Sequence, residues 1–265
     1  MSSASPSQVR LARRLKDRKF RATTGEFLAE GAPTVREALA AGAVVRVLAS
    51  ADACASYPDL TAEADELSEE QVAELSDTVA PQGIFAICRT PQADLGQVLA
   101  KDSSLVVICS QIRDPGNLGT VIRCADAFGA DGVILTTGSV DWTNPKTVRA
   151  SVGSVFHLPI VSSVTCADAV TQAKEAGFTV VASDVSGTEI TEVVGQGSFD
   201  SQVAWIMGNE AWGLPQEKDL ADVVVRIPMW GQAESLNLSV AAGICLFISA
   251  MRQRLLNAED INDEY

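Results

Sequence analysis

Three stretches of the chain place polar and charged side chains against strongly apolar neighbours. From Val225 to Phe247, VRIPMWGQAESLNLSVAAGICLF sets Glu234, Ser235 and Asn237 between a strand-like run and a long apolar run. Polar side chains in such a place must find partners or a ligand. Ser235 also suits a helix N-cap, with Asn237 in the first turn. From Leu105 to Leu135, LVVICSQIRDPGNLGTVIRCADAFGADGVIL carries Asn117 in a Pro-Gly-Asn turn and Arg123 further along the helix that follows. From Val203 to Leu214, VAWIMGNEAWGL is a strand running into Gly208, Asn209 and Glu210. Carboxylate, amide, hydroxyl and guanidinium chemistry is what these residues offer. Cys54, Cys88, Cys109, Cys124, Cys166 and Cys245 form no CxxC pair, and His157 is the single histidine. The cysteines therefore read as reduced core residues rather than metal ligands or disulfides. His157, beside Val155, Phe156 and Leu158, reads as a core or edge residue.

The elements that must position these groups follow from periodicity. Strands near 105–110, 132–136, 179–183, 203–208 and 223–227, with helices between them, predict a largely parallel sheet covered on both faces. Leu236, Val240, Ile244, Phe247, Ile248, Met251 and Leu255 fall at helical spacing, which predicts a helix entered through Ser235 and Asn237 with that face in the core. Upstream, strand and helix alternate from Phe27 to Cys88, and Arg89 to Lys101, with Pro91 and Gly96, is the best linker. The first six residues are Ser-rich and expected to be disordered. Residues 7–18 predict a basic helix whose apolar positions Val9, Leu11, Ala12 and Leu15 are too sparse for burial.

Charge is strongly polarised. The net charge of −14 argues by itself against a nucleic-acid partner. Yet residues 10–21 carry seven basic side chains and one acid, while residues 52–77 carry nine acids and no base. Guanidinium groups at that density suit phosphate contact, and a solvated helix is the alternative. Trp142, Trp212 and Trp230 sit in loops near the three stretches, where rings stack on bases or form interfaces. No apolar run reaches bilayer length and the N-terminus lacks an apolar leader, so a soluble, cytoplasmic protein without a membrane partner is expected.

Taken together, the three stretches resemble the three signature motifs of the SpoU/TrmH family of RNA 2'-O-ribose methyltransferases, within the SPOUT superfamily. Asn117 and Arg123 match the first motif, Gly208, Asn209 and Glu210 the second, and Ile227, Pro228, Ser235, Leu236 and Asn237 the third. The segments FLAEG, APTVREALAAG and PQGIFAI resemble the small RNA-binding domain that many such enzymes carry first, although Glu30 and Gln82 within them read equally well as structural residues. The resemblance implies an α/β fold: a small α/β substrate domain, then a SPOUT α/β domain with a C-terminal trefoil knot. The expected layout is a basic helix (1–22), a substrate domain (23–90), a linker (91–101), the methyltransferase domain (102–257) and an acidic tail (258–265).

The same resemblance implies S-adenosylmethionine (AdoMet) as donor, RNA as partner, no metal, and a homodimer that completes the active site. Arg123, Asn117, Glu210, Ser235 and Asn237 are the implied catalytic residues, and Ser183, Gly208, Ile227 and Leu236 the implied donor-binding ones. A guanidinium stays charged and has no acceptor, so Arg123 suits a phosphate clamp and stabilisation of the attacking oxygen, with base action left open. Glu210 is expected to orient Arg123 or the reacting ribose. Arg13, Arg14, Arg18 and Arg149 are the candidate RNA contacts. Large-subunit ribosomal RNA is the favoured substrate, with transfer RNA or a noncatalytic ribosome-assembly role as alternatives. A dinucleotide-dependent oxidoreductase lacks its glycine fingerprint here.

Overall fold

A computed structural model describes residues 3–263, with side chains described as far as Leu256. In chain order the elements begin α1 (Pro6–Arg14), α2 (Arg18–Thr24), β1 (Glu26–Glu30), α3 (Ala32–Ala40), β2 (Val44–Ser50), α4 (Ala51–Ser56), β3 (Asp65–Leu67), α5 (Glu69–Leu75) and β4 (Ile84–Arg89). They continue α6 (Leu95–Val98), β5 (Leu105–Cys109), α7 (Pro115–Ala127), β6 (Gly132–Thr136), α8 (Pro145–Ser151), β7 (Ile160–Val164) and α9 (Cys166–Glu175). The last are β8 (Thr179–Glu189), α10 (Ile190–Gly195), β9 (Val203–Met207), β10 (Val223–Arg226) and α11 (Leu238–Asp263). Two compact units share the chain: Met1–Pro91 with Asp141–His157, and Gln92–Val140 with Leu158–Tyr265.

In the first unit a four-stranded sheet runs β1-β4-β2-β3, with β4 antiparallel to β1 and β2, and β3 parallel to β2. The N-terminal segment is more ordered than its composition predicts. Ser5 caps α1 in a capping box with Gln8, and the Ala4 N–H donates to the Glu66 carbonyl at 2.9 Å. Residues 3–5 are thus docked; Met1 and Ser2 lie outside the described residues. Nor is α1 a solvated helix. Val9, Ala12 and Leu15 are buried against Leu28, Leu48, Leu67 and Phe85, because three apolar residues on one stripe suffice when the opposite face stays wet. The basic run also breaks into two helices, with the Asp17 carboxylate capping α2 at the Phe20 N–H.

Residues 141–157, expected in the second domain, belong to this first unit. Trp142 and Phe156 pack on Phe27 at ring-centroid distances of 5.6 and 5.7 Å, so Trp142 is a core residue and not a loop ring open to bases. Two inward-turned arginines fix the segment. Arg21 bonds Asp141 at 2.6 Å, Thr143 at 3.0 Å and the Leu15 and Lys16 carbonyls at 2.9 and 2.8 Å. Arg149 bonds buried Glu30 at 2.8 Å, and Glu30 also accepts from Ser76. Arg149 is therefore committed to the fold through this pair: an unpaired Glu30 in the core would cost more than Arg149 gains from solvent. His157 sits at an exposed edge, 3.2 Å from Glu37.

In the second unit a six-stranded sheet runs β10-β8-β9-β5-β6-β7 with every neighbouring pair parallel. β5, β6 and β9 are buried at every position, as strands covered on both faces must be. On one face Ile108, Ile134, Val180 and Ile206 pack with Ala169, Val170 and Ala173 of α9. Against the other lies α11, where the buried Trp205 indole donates to the Ser249 hydroxyl at 2.9 Å.

Helix α11 corrects two expectations. It starts at Leu238, so Leu236 stays in the preceding loop. Its buried face is Ala242, Cys245, Ser249 and Ala250, small residues with Leu246 the one large side chain among them. The predicted core face is open, with Val240, Phe247, Met251 and Leu255 exposed by 42 to 52%, because close packing on α7 favours the side with small residues. Contrary to expectation, Leu238–Leu256 is also long and apolar enough to cross a bilayer, with mean hydropathy 1.3. Of the expected acidic tail at 258–265, the backbone is helical to Asp263 and the final two residues lie outside the described ones. Burial pushes the Cys88 and Cys245 thiols up to about 12, which leaves both protonated and unreactive near neutral pH.

Arg21→Ala strands the Asp141 carboxylate and is expected to destabilise the first unit by about 3–5 kcal/mol, the cost of breaking a buried pair. Arg21→Lys recovers little, because an ammonium cannot serve the carboxylate, hydroxyl and carbonyls together. Urea unfolding of the three proteins measures both differences.

Candidate active site

The strand order creates a switch point. From β5 the chain builds outward through β6 and β7, whereas β9, β8 and β10 lie on the other side of β5. Loops diverge at the carboxyl ends of strands about such a point and leave a crevice between them. A cavity of ≈ 920 Å³ lies there, lined from β8, from the turn after β9, from the loop after β10 and from the start of α7. Asn117, Glu210, Ser235 and Asn237 of the predicted catalytic set line it, as do Ser183, Gly208, Ile227 and Leu236 of the predicted donor set.

One bond chain joins the three motif segments. The Glu210 carboxylate accepts from the backbone N–H groups of Arg113 and Asp114 and from the Asn117 amide, each at 3.2 Å. Asn117 in turn accepts from the Asn237 amide at 3.0 Å, and Asn237 accepts from the Ser239 hydroxyl at 2.6 Å. Glu210 thus orients the loop before α7, and within one chain Arg123 is not among its hydrogen-bond partners in the described residues. Asn117 is not the helix cap, since Asp114 accepts from the Asn117 N–H at 2.8 Å and fills that role. Asn237, not Ser235, serves the first turn of α11, accepting from the Ser239 N–H at 2.9 Å.

A second set of bonds holds the end of β5. Gln111 adopts φ 52°, a left-handed conformation that a side chain resists. Its N–H donates to the Thr136 hydroxyl at 3.0 Å and its carbonyl accepts from the Asn209 amide at 2.6 Å, which over-determines the strained residue. Gly208 is needed for a local reason too. A Cβ there would sit 2.6 Å from the Gly213 carbonyl carbon, so a side chain would force the turn open.

Arg123 stands apart. It is exposed on α7, is absent from the cavity wall, and among the described residues has no hydrogen-bond or ion-pair partner. Sequence reasoning missed several residues that the fold brings in. Arg113 lies over the Trp212 ring, 4.7 Å from its centroid. Asp184 and Lys218 pair at 3.2 Å. Burial pushes the Asp184 carboxyl up, but hydrogen bonds from Ser186 and Lys218 outweigh it and hold the group below the usual carboxylate range. Arg226 bonds Glu189 at 2.8 Å. None carried a local signal, because their partners lie more than 30 residues away in the chain or on a different turn. Burial, and then the Glu210 charge, raise the Cys109 thiol behind the site.

Residues 104–247 match the SpoU rRNA Methylase family, and residues 7–86 match an MRM3-like substrate binding domain. The chain belongs to the SpoU rRNA methylase family. Among its relatives is the 23S rRNA (guanosine(2553)-2'-O)-methyltransferase RlmP of Bacillus subtilis, 34% identical over 93% of this chain and 97% of that one. A 23S rRNA (uridine(2479)-2'-O)-methyltransferase of Streptomyces viridochromogenes is 32% identical over 91% of this chain and 88% of its own. An AdoMet-bound rRNA methyltransferase from Sinorhizobium meliloti superposes with a TM-score of 0.80 at 32% identity, covering 95% of this chain and 97% of that one. The SpoU methyltransferase AviRb from S. viridochromogenes in complex with AdoMet gives 0.79 at 30% identity over 95% and 99%. The mixed α/β architecture of this SpoU chain is thus the architecture of its solved relatives.

In this SpoU chain the Glu210 bonds should be measurable without any substrate. Glu210→Ala removes a charge-assisted acceptor from the Arg113 and Asp114 amides, and hydrogen exchange at those two amides is expected to rise about tenfold or more, the equivalent of ~1.5 kcal/mol per bond. Exchange in β5 should stay as it is.

Proposed function

We propose that this chain transfers a methyl group from AdoMet to the ribose 2'-hydroxyl of a nucleotide in large-subunit ribosomal RNA. The observation that carries the reading is the bond chain Glu210–Asn117–Asn237, which gathers three sequence-distant motifs around one cavity. The names of the two relatives above, both 23S rRNA 2'-O-methyltransferases, support the substrate class.

The cavity suits the donor on its own terms. Residues 229–235 make no backbone–backbone hydrogen bond among the described residues, so their N–H and C=O groups are available to an adenine edge, with Leu236 beside them for the ring. Of the four carboxylates among the lining residues, Asp184 is paired with Lys218 and Glu189 with Arg226, so Glu210 and Glu234 remain as a negative balance that favours a ligand carrying sulfonium and ammonium charge. Ser183, Gly208, Ile227 and Leu236 would hold it. When bound, AdoMet supplies a methyl already made electrophilic by its sulfonium, so no metal is called for. The chain's own task is to place the hydroxyl and steady the charge that builds on it. Asn117, Ser235 and Asn237 present amide and hydroxyl groups for the acceptor ribose.

Arg123 would enter the site of a second copy. The exposed apolar stripe of α11, Val240, Phe247, Met251 and Leu255, with Phe128 packed edge-on to Phe247 at 5.6 Å, supports a homodimer through α7 and α11. Across such an interface the unpaired guanidinium clamps the RNA phosphate and stabilises the attacking oxygen. The reading includes a trefoil knot at the C-terminal end, supported by the path of the chain from β10, through 227–237 to Asn117, and on to α11.

The proposed RNA face keeps Arg14 and Arg18 of the expected set and adds Arg10 and Lys19. Arg13 pairs with Glu74 and Lys16 with Asp77, whereas Arg10, Arg14, Arg18 and Lys19 are exposed and make no ion pair among the described residues. Arg14 lies 3.8 Å from the centre of the Phe20 ring, which holds it outward. These four supply the phosphate contacts. Replacing all four with Gln is expected to flatten log affinity against log salt by roughly 3, near 0.7–0.9 for each phosphate no longer neutralised. Removing Arg13 should change the slope by much less, as titrations at several salt concentrations would show.

Mapping of ribose methylation in ribosomal RNA, with and without this protein, should show one 2'-O-methyl mark disappear; a complete set of marks would overturn the reading. Arg123→Ala should bind AdoMet as wild type does and transfer nothing. Mixed with Gly208→Val, which fails at the donor site, it should regain transfer, because one mixed dimer holds one intact site.

A further inference from the structure

We infer that Trp212, braced by Arg113, is the platform on which an unpaired base of the acceptor RNA stacks at the mouth of the cavity. This rests on the methyltransferase reading above. Trp212 lines the cavity and is 45% exposed, with the Arg113 guanidinium over its ring at cation–π distance. Among the described residues the Trp212 indole N–H has no acceptor, whereas buried Trp205 satisfies its own on Ser249. An indole left half open by core packing is a cost unless something covers it.

Backbone bonds on both sides hold the pair in place. Asn209 and Gly213 exchange N–H···O=C bonds of 3.0 and 2.9 Å across the turn that carries Trp212, and the Asn209 side chain accepts from the Ala211 N–H at 2.8 Å. On the other side the Arg113 N–H is held by Glu210. Glu210 lies in the same turn as Trp212, so ring and guanidinium share one anchor. That anchor is also the bond partner of Asn117. A ribose placed at Asn117 and Asn237 therefore has a fixed aromatic face beside its own base or its neighbour's.

Trp230 is the competing candidate and fails on the same criterion. It is 91% exposed, but it sits in residues 229–235, which no backbone–backbone hydrogen bond among the described residues restrains. Stacking on a free loop must first order that loop, whereas Trp212 is already in place. Every base has a π face, so the platform selects for an unstacked, single-stranded nucleotide and not for a base identity.

The test uses the full chain, radiolabelled AdoMet and transcribed 23S rRNA. Trp212→Ala is expected to raise the KM for RNA about tenfold, with kcat within about twofold and Trp212→Phe within about threefold of wild type, the pattern of a missing stacking face. AdoMet affinity by calorimetry and mass by light scattering should not move. Arg113→Ala should give a smaller rise, and the double variant should be no worse than Trp212→Ala alone, because the guanidinium acts through the ring. An unchanged KM, a loss of AdoMet affinity or a change of oligomeric state in Trp212→Ala would each overturn the assignment; an additive double variant would overturn the bracing. If wild type itself transfers nothing, the fault lies with the function. Quenching of a single-stranded oligoribonucleotide carrying 2-aminopurine, by wild type and not by Trp212→Ala, then still decides the stacking.

Discussion

The Glu210 carboxylate is the constraint on which the site depends. Its two oxygens take up the Arg113 and Asp114 amides and the Asn117 side chain, and through Asn117 they reach Asn237. Three loops leaving three different strands are thereby held to one geometry. Each bond is exposed and individually modest, yet the set is cooperative, since Asn117 can meet Asn237 only where Glu210 has put it. Behind it, the strained Gln111 is pinned between Thr136 and Asn209, which sets where the loop after β5 begins.

The first unit uses charge in a different way. Arg21 and Arg149 are committed inside the fold, to Asp141 and Glu30, and they bind a segment that arrives late in the chain to one that arrives early. Buried pairs of this kind contribute little net stability, but they forbid alternatives, because any other docking of 141–157 leaves a carboxylate without a partner. The basic N-terminal run is thereby sorted. Its inward members are structural and paired, and its outward members are left for solvent or phosphate.

Helix α11 shows that hydrophobicity and burial can part company. Its small residues face the sheet and α7, where backbones approach closely, as Gly243 does to Cys124, whose Sγ would lie 3.3 Å from an added Cβ. Leu246 is buried with them, whereas the large apolar residues Val240, Phe247, Met251 and Leu255 face outward. Four such exposed side chains, on a helix packed against the α7 that carries exposed Arg123, give the dimer reading a physical motive.

The sequence by itself determined the alternation of strands and helices, the three motif segments and eight of the residues that face the cavity, though it placed Arg123 among them and missed Asp184 and Arg226. Those are local properties: periodicity reports which side of an element is apolar, and a turn residue reports its own backbone. It also carried the family. What it could not determine was pairing. Arg13 and Arg18 are alike as letters, yet one meets Glu74 while the other meets no carboxylate among the described residues, and nothing near Arg149 in the sequence announces that Glu30 lies beneath it. The face of α11 that is buried, the residues Glu210 grips and the ring beneath Arg113 were decided only by the tertiary structure. Each depends on partners tens of residues distant, and neither composition nor spacing records which distant group will arrive first in contact.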